Sequence, residues 1–261
     1  MRIVSVGHGL FAAILIAIGI IGLIHSGYAA IWHGVPKGFP LREALPYLCA
    51  VIALGCGLGL LAQRTAAPAI RVWLAFYLLW TVLFKLRFIL FHPLVEGSYQ
   101  SNGENAVILA GSWVLFTWLA TDWDRHRIGF ATGERGLRIA RALYGLALIA
   151  FGLSHFFYLN FTAPLVPAWL PGPVGWAYFT GITYLAAGVA VLVGVYARLA
   201  AALSTLQMGL FLLLIWIPRG VTGRLSEFQW GEVVVNCALV AAAWLVTESY
   251  RDRPWLALRK R

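Results

Sequence analysis

Two histidines, His25 and His155, lie near the ends of apolar segments, and each is followed three positions later by a tyrosine, Tyr28 or Tyr158. Residues three apart on a helix share a face. An imidazole titrates near neutral pH, so it can exchange a proton or hydrogen-bond a carbonyl oxygen of a ligand. The spacing predicts two related proton-handling sites with a tyrosine that contacts ligand. The alternative is that each histidine only hydrogen-bonds a neighbouring helix.

Two glutamates, Glu104 and Glu232, are the candidates to exchange protons with these histidines. Each follows a glycine and lies near the start of an apolar segment. We therefore hypothesise two catalytic pairs, His25 with Glu104 and His155 with Glu232, in which the carboxylate takes or returns the proton of the imidazole. The same residues also fit plain interhelical hydrogen bonds.

A third group of polar residues lies in and just after the apolar stretch 76–91. Lys85 and Arg87 interrupt this stretch, and His92 follows it. Ionisable groups at membrane depth are costly and therefore indicate function by default. Lys85 and His92 are expected to share a helix face, and together with Arg87 they would bind an anionic head group, a carboxylate or a quinone oxygen. The alternatives are snorkelling toward the membrane surface or an ion pair with one of the glutamates.

The composition shows which elements must position these side chains. Of the 261 residues, 61% are hydrophobic and 11% are charged, whereas a soluble domain carries roughly 25% charged residues. The apolar residues form blocks that reach or approach the length of a membrane span. The sequence predicts an all-α polytopic membrane protein with about eight transmembrane helices, at 10–24, 48–61, 72–84, 106–120, 142–153, 174–195, 199–217 and 233–246.

The net charge of +10 is distributed in the manner of a membrane protein rather than of a nucleic-acid-binding protein. Most Lys and Arg residues fall on one side of the predicted helices, and the positive-inside rule makes that side cytoplasmic. We expect a multi-pass protein of the cell inner membrane with both termini in the cytoplasm. Membrane lipid is the expected partner, with the basic tail at 259–261 against anionic head groups; nucleic acid is not.

The chain repeats itself. Val35-Pro36 matches Val166-Pro167, Tyr47 matches Tyr178 and Gly57 matches Gly188, all at one constant offset, and the two histidine segments add a similar match. The repeat predicts a first four-helix unit at 1–124, a basic cytoplasmic linker at 125–137 and a second four-helix unit at 138–261. Units with even numbers of spans insert in the same orientation, as parallel repeats.

The second unit resembles the DoxX-like superfamily of small four-helix membrane proteins, which includes the DoxX, DoxD and MauE proteins. The resemblance is carried by Gly152-Leu153-Ser154-His155, by the loop 166–171 (VPAWLP) and by the segments 176–182 (WAYFTGI) and 186–188 (AAG). The first unit resembles the family mainly through the second. The resemblance implies four-helix bundles associated with redox systems, a quinone as possible cofactor and a possible soluble or membrane redox partner.

Together these patterns predict a redox-associated membrane protein that binds a quinone or similar lipid-soluble ligand near the extracytoplasmic face. Two other classes stay open: a non-catalytic binding, transport or partner-escort protein, and a structural subunit of a membrane complex. Whether the protein is an enzyme is left open. No spacing typical of a metal site, such as His-x-x-x-His, occurs in the sequence, so no metal is expected.

Overall fold

The structure is a computed structural model that describes residues 4–25, 30–223 and 227–258. All regular structure in these ranges is helical. The eight long helices are α1 Val6–His25, α2 Leu45–Leu60, α3 Ala66–Phe91, α4 Glu96–Leu119, α5 Gly133–Phe157, α6 Pro173–Val193, α7 Ala197–Val221 and α8 Glu227–Glu248. Short helical turns occupy the connections, among them Ala30–Trp32, Asp122–Arg127 and Ala163–Leu165.

Six of the long helices, α1, α3, α5, α6, α7 and α8, are long and apolar enough to cross a membrane. This confirms the predicted all-helical, multi-span character of the chain. Helix α2 is apolar but has only 16 residues. Helix α4 has 24 residues, and its first three turns are polar.

Helices α4 and α8 hold the bundle together. Helix α4 packs against α3, α5 and α8, while α8 packs against α1, α4 and α7. The contact between them is very close, because a Cβ added at Gly111 would lie 2.5 Å from the Cα of Ala242. Small residues allow such backbone approach in membrane bundles, where van der Waals packing rather than the hydrophobic effect draws helices together.

The long helices α3 and α7 are each interrupted by one π-helical segment, at Thr81–Lys85 and Leu212–Trp216. A π segment widens one helical turn and changes the direction in which the following side chains point; such segments are frequent at functional sites. Lys85 is the last residue of the first segment, so the irregularity determines where its side chain lies.

The helix bundle has two ends, at which the long helices begin or finish. We call the end where α3, α5 and α7 finish and α4, α6 and α8 begin the site end. At the opposite end Arg71 Nη2 donates to Oδ2 of the fully buried Asp124 at 2.9 Å, and Arg71 Nε forms an ion-pair contact with Oδ1 at 2.6 Å. The backbone N–H and hydroxyl of Thr121 also donate to Asp124 at 2.7 Å. These bonds connect the segment that follows α4, at Thr121 and Asp124, to Arg71 of α3.

We expect Asp124→Asn to lower the thermal stability at pH 7 by on the order of 3 kcal/mol, because it leaves Arg71 without its buried partner. Burial raises the pKa of Asp124, hydrogen bonds from Arg71 and Thr121 lower it, and the balance leaves the pKa below its usual value. The stabilisation is therefore present above the unfolded pKa of about 3.9 and is lost as the pH falls through the folded pKa. Thermal melts across pH 3–7 should show the two proteins converging at acid pH; a gap that persists there would contradict this.

Candidate functional site

A cavity of about 710 Å³ lies in the second half of the chain. It is enclosed by α5, α6, α7 and α8, by the loop after α5, and by two side chains of α4. Along α6 the lining extends from Trp176 to Ala190, about 20 Å at the helical rise of 1.5 Å per residue. Its wall is mostly apolar, as expected for a site of this volume that holds a small molecule.

Polar side chains from α4, α5 and α8 line the half of this cavity toward the site end. Glu104 and Gln100 come from α4, His155 from α5, and Glu232 and Asn236 from α8. The Gln100 amide donates to Glu104 Oε1 at 3.4 Å, and the Asn236 amide donates to the backbone carbonyl of Glu232 at 2.9 Å. The two glutamates also interact electrostatically with each other.

His155 is held in one orientation by its own helix. Its Nδ1 lies 2.8 Å from the carbonyl oxygen of Phe151. Since a carbonyl can only accept, Nδ1 carries the proton, and Nε2 of the neutral ring is left as an acceptor. The ring stacks on Phe211 at 6.0 Å and lies at 5.8 Å from Tyr184, so two aromatic rings fix its place in the cavity wall.

Tyr158 lines the same cavity and links two helices. Its hydroxyl oxygen accepts the backbone N–H of Gly97 at 2.9 Å, which joins the end of α5 to the first turn of α4. The contacts of the other predicted histidine–tyrosine pair, His25 and Tyr28, lie outside the described part of the structure. His25 is the last residue of α1, but its side chain lies outside the described part of the structure, as does Tyr28 entirely.

Lys85 is not among the residues that line the cavity, although both glutamates are. It is 3% exposed and donates to Ser101 Oγ at 3.0 Å. It interacts electrostatically with both Glu104 and Glu232, yet within the described ranges neither carboxylate lies within 4.0 Å of a cation. The structure therefore brings Lys85, Glu104, Glu232, His155 and Tyr158 to one region.

Arg87 and His92 do not join this group. The guanidinium of Arg87 lies 5.2 Å from the ring centroid of Phe88, the side chain that follows it. His92 is exposed and comes after the last residue of α3, with a backbone that no longer continues the helix. Lys85 and His92 are therefore separated by the end of the helix, although their spacing of seven residues would place them on one face of a continuous one.

The close contacts between α1 and α2 and between α5 and α6 show which residue of α1 corresponds to which residue of α5. A Cβ at Gly19 would lie 2.8 Å from the carbonyl oxygen of Ala50, and one at Gly152 would lie 2.8 Å from that of Gly181. The leucine one turn on, Leu54 or Leu185, provides the closest contact in each case. Gly19 and Gly152 thus occupy the same position in the two helix pairs.

This register differs by three residues from the match between the two histidine segments. With Gly19 on Gly152, the residue that corresponds to His155 is Gly22, and the counterpart of His25 is Tyr158. The two histidines therefore lie about one helical turn apart along their helices. The sequence match pairs Gly22-Leu23 with Gly152-Leu153 because both are glycine-leucine. The packing match pairs Gly19 with Gly152 because the neighbouring helix contacts each of these glycines in the same way.

The cavity also contains amides that the sequence reasoning did not single out. Gln207 of α7 accepts from Thr183 Oγ1 at 2.8 Å and donates to the Thr180 carbonyl at 3.1 Å. Gln100 and Asn236 stand beside the glutamates. A single amide inside a long apolar segment is itself a signal, because it needs a partner in lipid; Gln207 and Asn236 meet that description.

Comparison with protein families gives one match. A family described as a domain of unknown function, DUF8561, matches residues 144–247, a range that covers most of α5 and reaches almost to the end of α8. No curated protein and no solved structure matches the chain.

We expect Lys85→Met to lower the stability by on the order of 3 kcal/mol, because two carboxylates then remain in the bundle without their cation. Adding Glu104→Gln should restore a substantial part of that loss, since the remaining negative charge is halved. Thermal melts of the single and double variants measure the coupling, and Lys37→Met, at an exposed loop position, is the control. Additive effects of the two substitutions would show that Lys85 does not compensate Glu104.

Proposed function

We propose that this protein binds a lipid-soluble molecule with a polar head group in the second-half cavity, and that it belongs to a redox system in which this molecule is a quinone. The observation that carries the proposal is the form of the cavity: a mostly apolar trough about 20 Å long whose half toward the site end, here called the polar end, contains the side chains of Gln100, Glu104, His155, Glu232 and Asn236. A chain and a head group need those two environments in that arrangement.

The polar end offers the chemistry that a quinone site needs. His155 presents Nε2 to the cavity, and two carboxylates stand within the same wall, so a proton can pass between ligand, imidazole and carboxylate. Lys85, outside the cavity lining, limits the net negative charge of the region. In this proposal His155, Glu104 and Glu232 handle protons, Tyr158 contacts the ligand, and Lys85 acts as a positioning residue.

We further propose that the chain consists of two DoxX-like units with eight spans, inserted in the same orientation in the inner membrane with both termini cytoplasmic. The helix contacts support this: α1–α2, α2–α3 and α3–α4 recur as α5–α6, α6–α7 and α7–α8, while α4–α5 recurs as α8–α1. The π segments of α3 and α7 also stand at the constant spacing of the sequence repeat. The DUF8561 match lies wholly within the second unit.

The two proposed units differ in how their interiors are filled. In the first, Trp32 is 1% exposed and packs edge-on against Trp73 and Phe76, each at 5.6 Å. In the second unit, Leu165 is the last residue of the short turn Ala163–Leu165, as Trp32 is of the turn Ala30–Trp32, and the spacing of the sequence repeat places Ser204 and Gln207 opposite Trp73 and Phe76. All three residues line the cavity. The cavity is thus found where three large aromatic side chains of the first unit are replaced by smaller ones.

A second function, carriage of a lipid-soluble molecule without chemistry, is supported by the length and opening of the cavity. The lining continues past the polar end to Tyr196 and Leu199 at the start of α7, and its side chains Phe179, Leu203 and Leu206 are exposed between α6 and α7. Reduction of an added quinone by a redox partner distinguishes the first function, and transfer between vesicle populations distinguishes the second.

We expect Leu165→Trp to abolish ligand binding while the fold is retained, because it returns to the second unit the indole that fills the first. Solvent extraction and mass spectrometry of the purified protein should find a quinone in the parent protein and at least about tenfold less in the variant, the equivalent of 1.4 kcal/mol. Ile182→Trp, on the exposed side of α6, is the matched control. Equal quinone in both variants would place the ligand elsewhere, and its absence from the parent protein would refute the quinone.

A further inference from the structure

The hydrogen-bonding capacity of the polar end is unbalanced. His155 uses its one N–H on its own helix and offers an acceptor. The Oε1 of Gln100 is buried and, within the described part of the chain, has no hydrogen-bond partner. Glu104 and Glu232 add four carboxylate oxygens, and among the residues that the structure describes one of these oxygens receives a bond, the long one from Gln100. The ligand-facing groups at this end are therefore predominantly acceptors.

The serine and threonine hydroxyl groups that line the cavity do not correct this imbalance, because they donate elsewhere. Ser154 donates to the Phe151 carbonyl at 2.8 Å, Thr183 to Gln207 at 2.8 Å, and Ser204 to the Ala200 carbonyl at 2.8 Å. Tyr158, which accepts from Gly97, still has its own hydroxyl proton. The phenols of Tyr158 and Tyr184 stand against an imidazole nitrogen, an amide oxygen and two carboxyl groups.

The charges favour the same kind of ligand. Lys85 is the cation that interacts with both glutamates, but its ammonium group is buried on Ser101 and outside the cavity lining. A head group in the cavity therefore meets carboxyl oxygens before it meets the lysine. A carboxylate or phosphate head would face like charge there, whereas a donor would satisfy groups that are costly to leave unpaired in a low-dielectric site.

We propose that the head group this cavity accepts is a hydrogen-bond donor, a hydroxyl or a primary ammonium on a long apolar chain, and that the cavity excludes carboxylate heads. This inference rests on the proposed function, since it names the chemistry of the ligand that the cavity binds. For a quinone system it means that the reduced form, whose ring carries two hydroxyl groups, is bound more tightly than the oxidised form, whose ring oxygens only accept.

The test uses ligands that differ only in the head. The full-length protein in lipid nanodiscs is incubated with dodecylamine, dodecanol or dodecanoate, and bound ligand is quantified by native mass spectrometry. We expect the amine and the alcohol to be retained at least about tenfold more than the acid, the change that one charge-assisted hydrogen bond produces. A parallel pair, a decyl-chain hydroquinone and its quinone under anaerobic conditions, should show preference for the hydroquinone. Retention of dodecylamine but not dodecanol would show that the cavity requires an ammonium head group. Retention of both would show that a neutral hydroxyl donor is sufficient.

Two variants separate the outcomes. Glu104→Gln with Glu232→Gln should reduce the preference for donors about tenfold while dodecanoate binding rises, and Glu248→Gln, at the opposite end of α8, should leave the preference unchanged. Equal retention of all three heads by the parent protein, with loss in Leu165→Trp, would overturn the donor preference and keep the binding function. Equal retention by the parent protein and Leu165→Trp would overturn both.

Discussion

A charged group inside a lipid-exposed helical bundle must find its counter-charge within the protein, because lipid offers none. In this chain that requirement is met by Lys85 of α3 with Glu104 of α4 and Glu232 of α8. The three helices come from both halves of the chain, so the charges couple the halves at the site end. The glutamates are thereby held in the cavity wall, and the ammonium group outside it.

Much of the fold could be predicted from the distribution of apolar residues along the sequence. Each of the eight apolar blocks overlaps one long helix, because a run of apolar residues in lipid has to satisfy its own backbone. The boundaries were less predictable. Helix α3 runs from Ala66 to Phe91, well beyond the predicted 72–84, since Arg71, Lys85 and Arg87 interrupt the apolar pattern without interrupting the backbone hydrogen bonds. Helix α4 likewise begins ten residues before its predicted start, at Glu96, because its polar first turns face protein rather than lipid.

The candidate site was only partly accessible to the same reasoning. The cost of ionisable groups in lipid singled out Lys85, Glu104, Glu232 and His155, and the structure brings these together. Two features required three-dimensional packing: the register of α1 on α5, which moves His25 away from the position equivalent to His155, and the cavity itself. A cavity results from the difference in volume between neighbouring side chains, and no pattern along a single segment records that difference.

A cavity of this size lacks packing contacts, and missing contacts in an interior reduce stability. In the proposed two-unit architecture, packing elsewhere in the chain offsets this loss of stability. The first unit is filled by Trp32 and its aromatic neighbours, and α4 packs directly on α8. A single four-helix unit with the same cavity would have only its own contacts to offset the loss. In that architecture one half supplies packing and the other contains the cavity, and Lys85, Glu104 and Glu232 join the two at the site end.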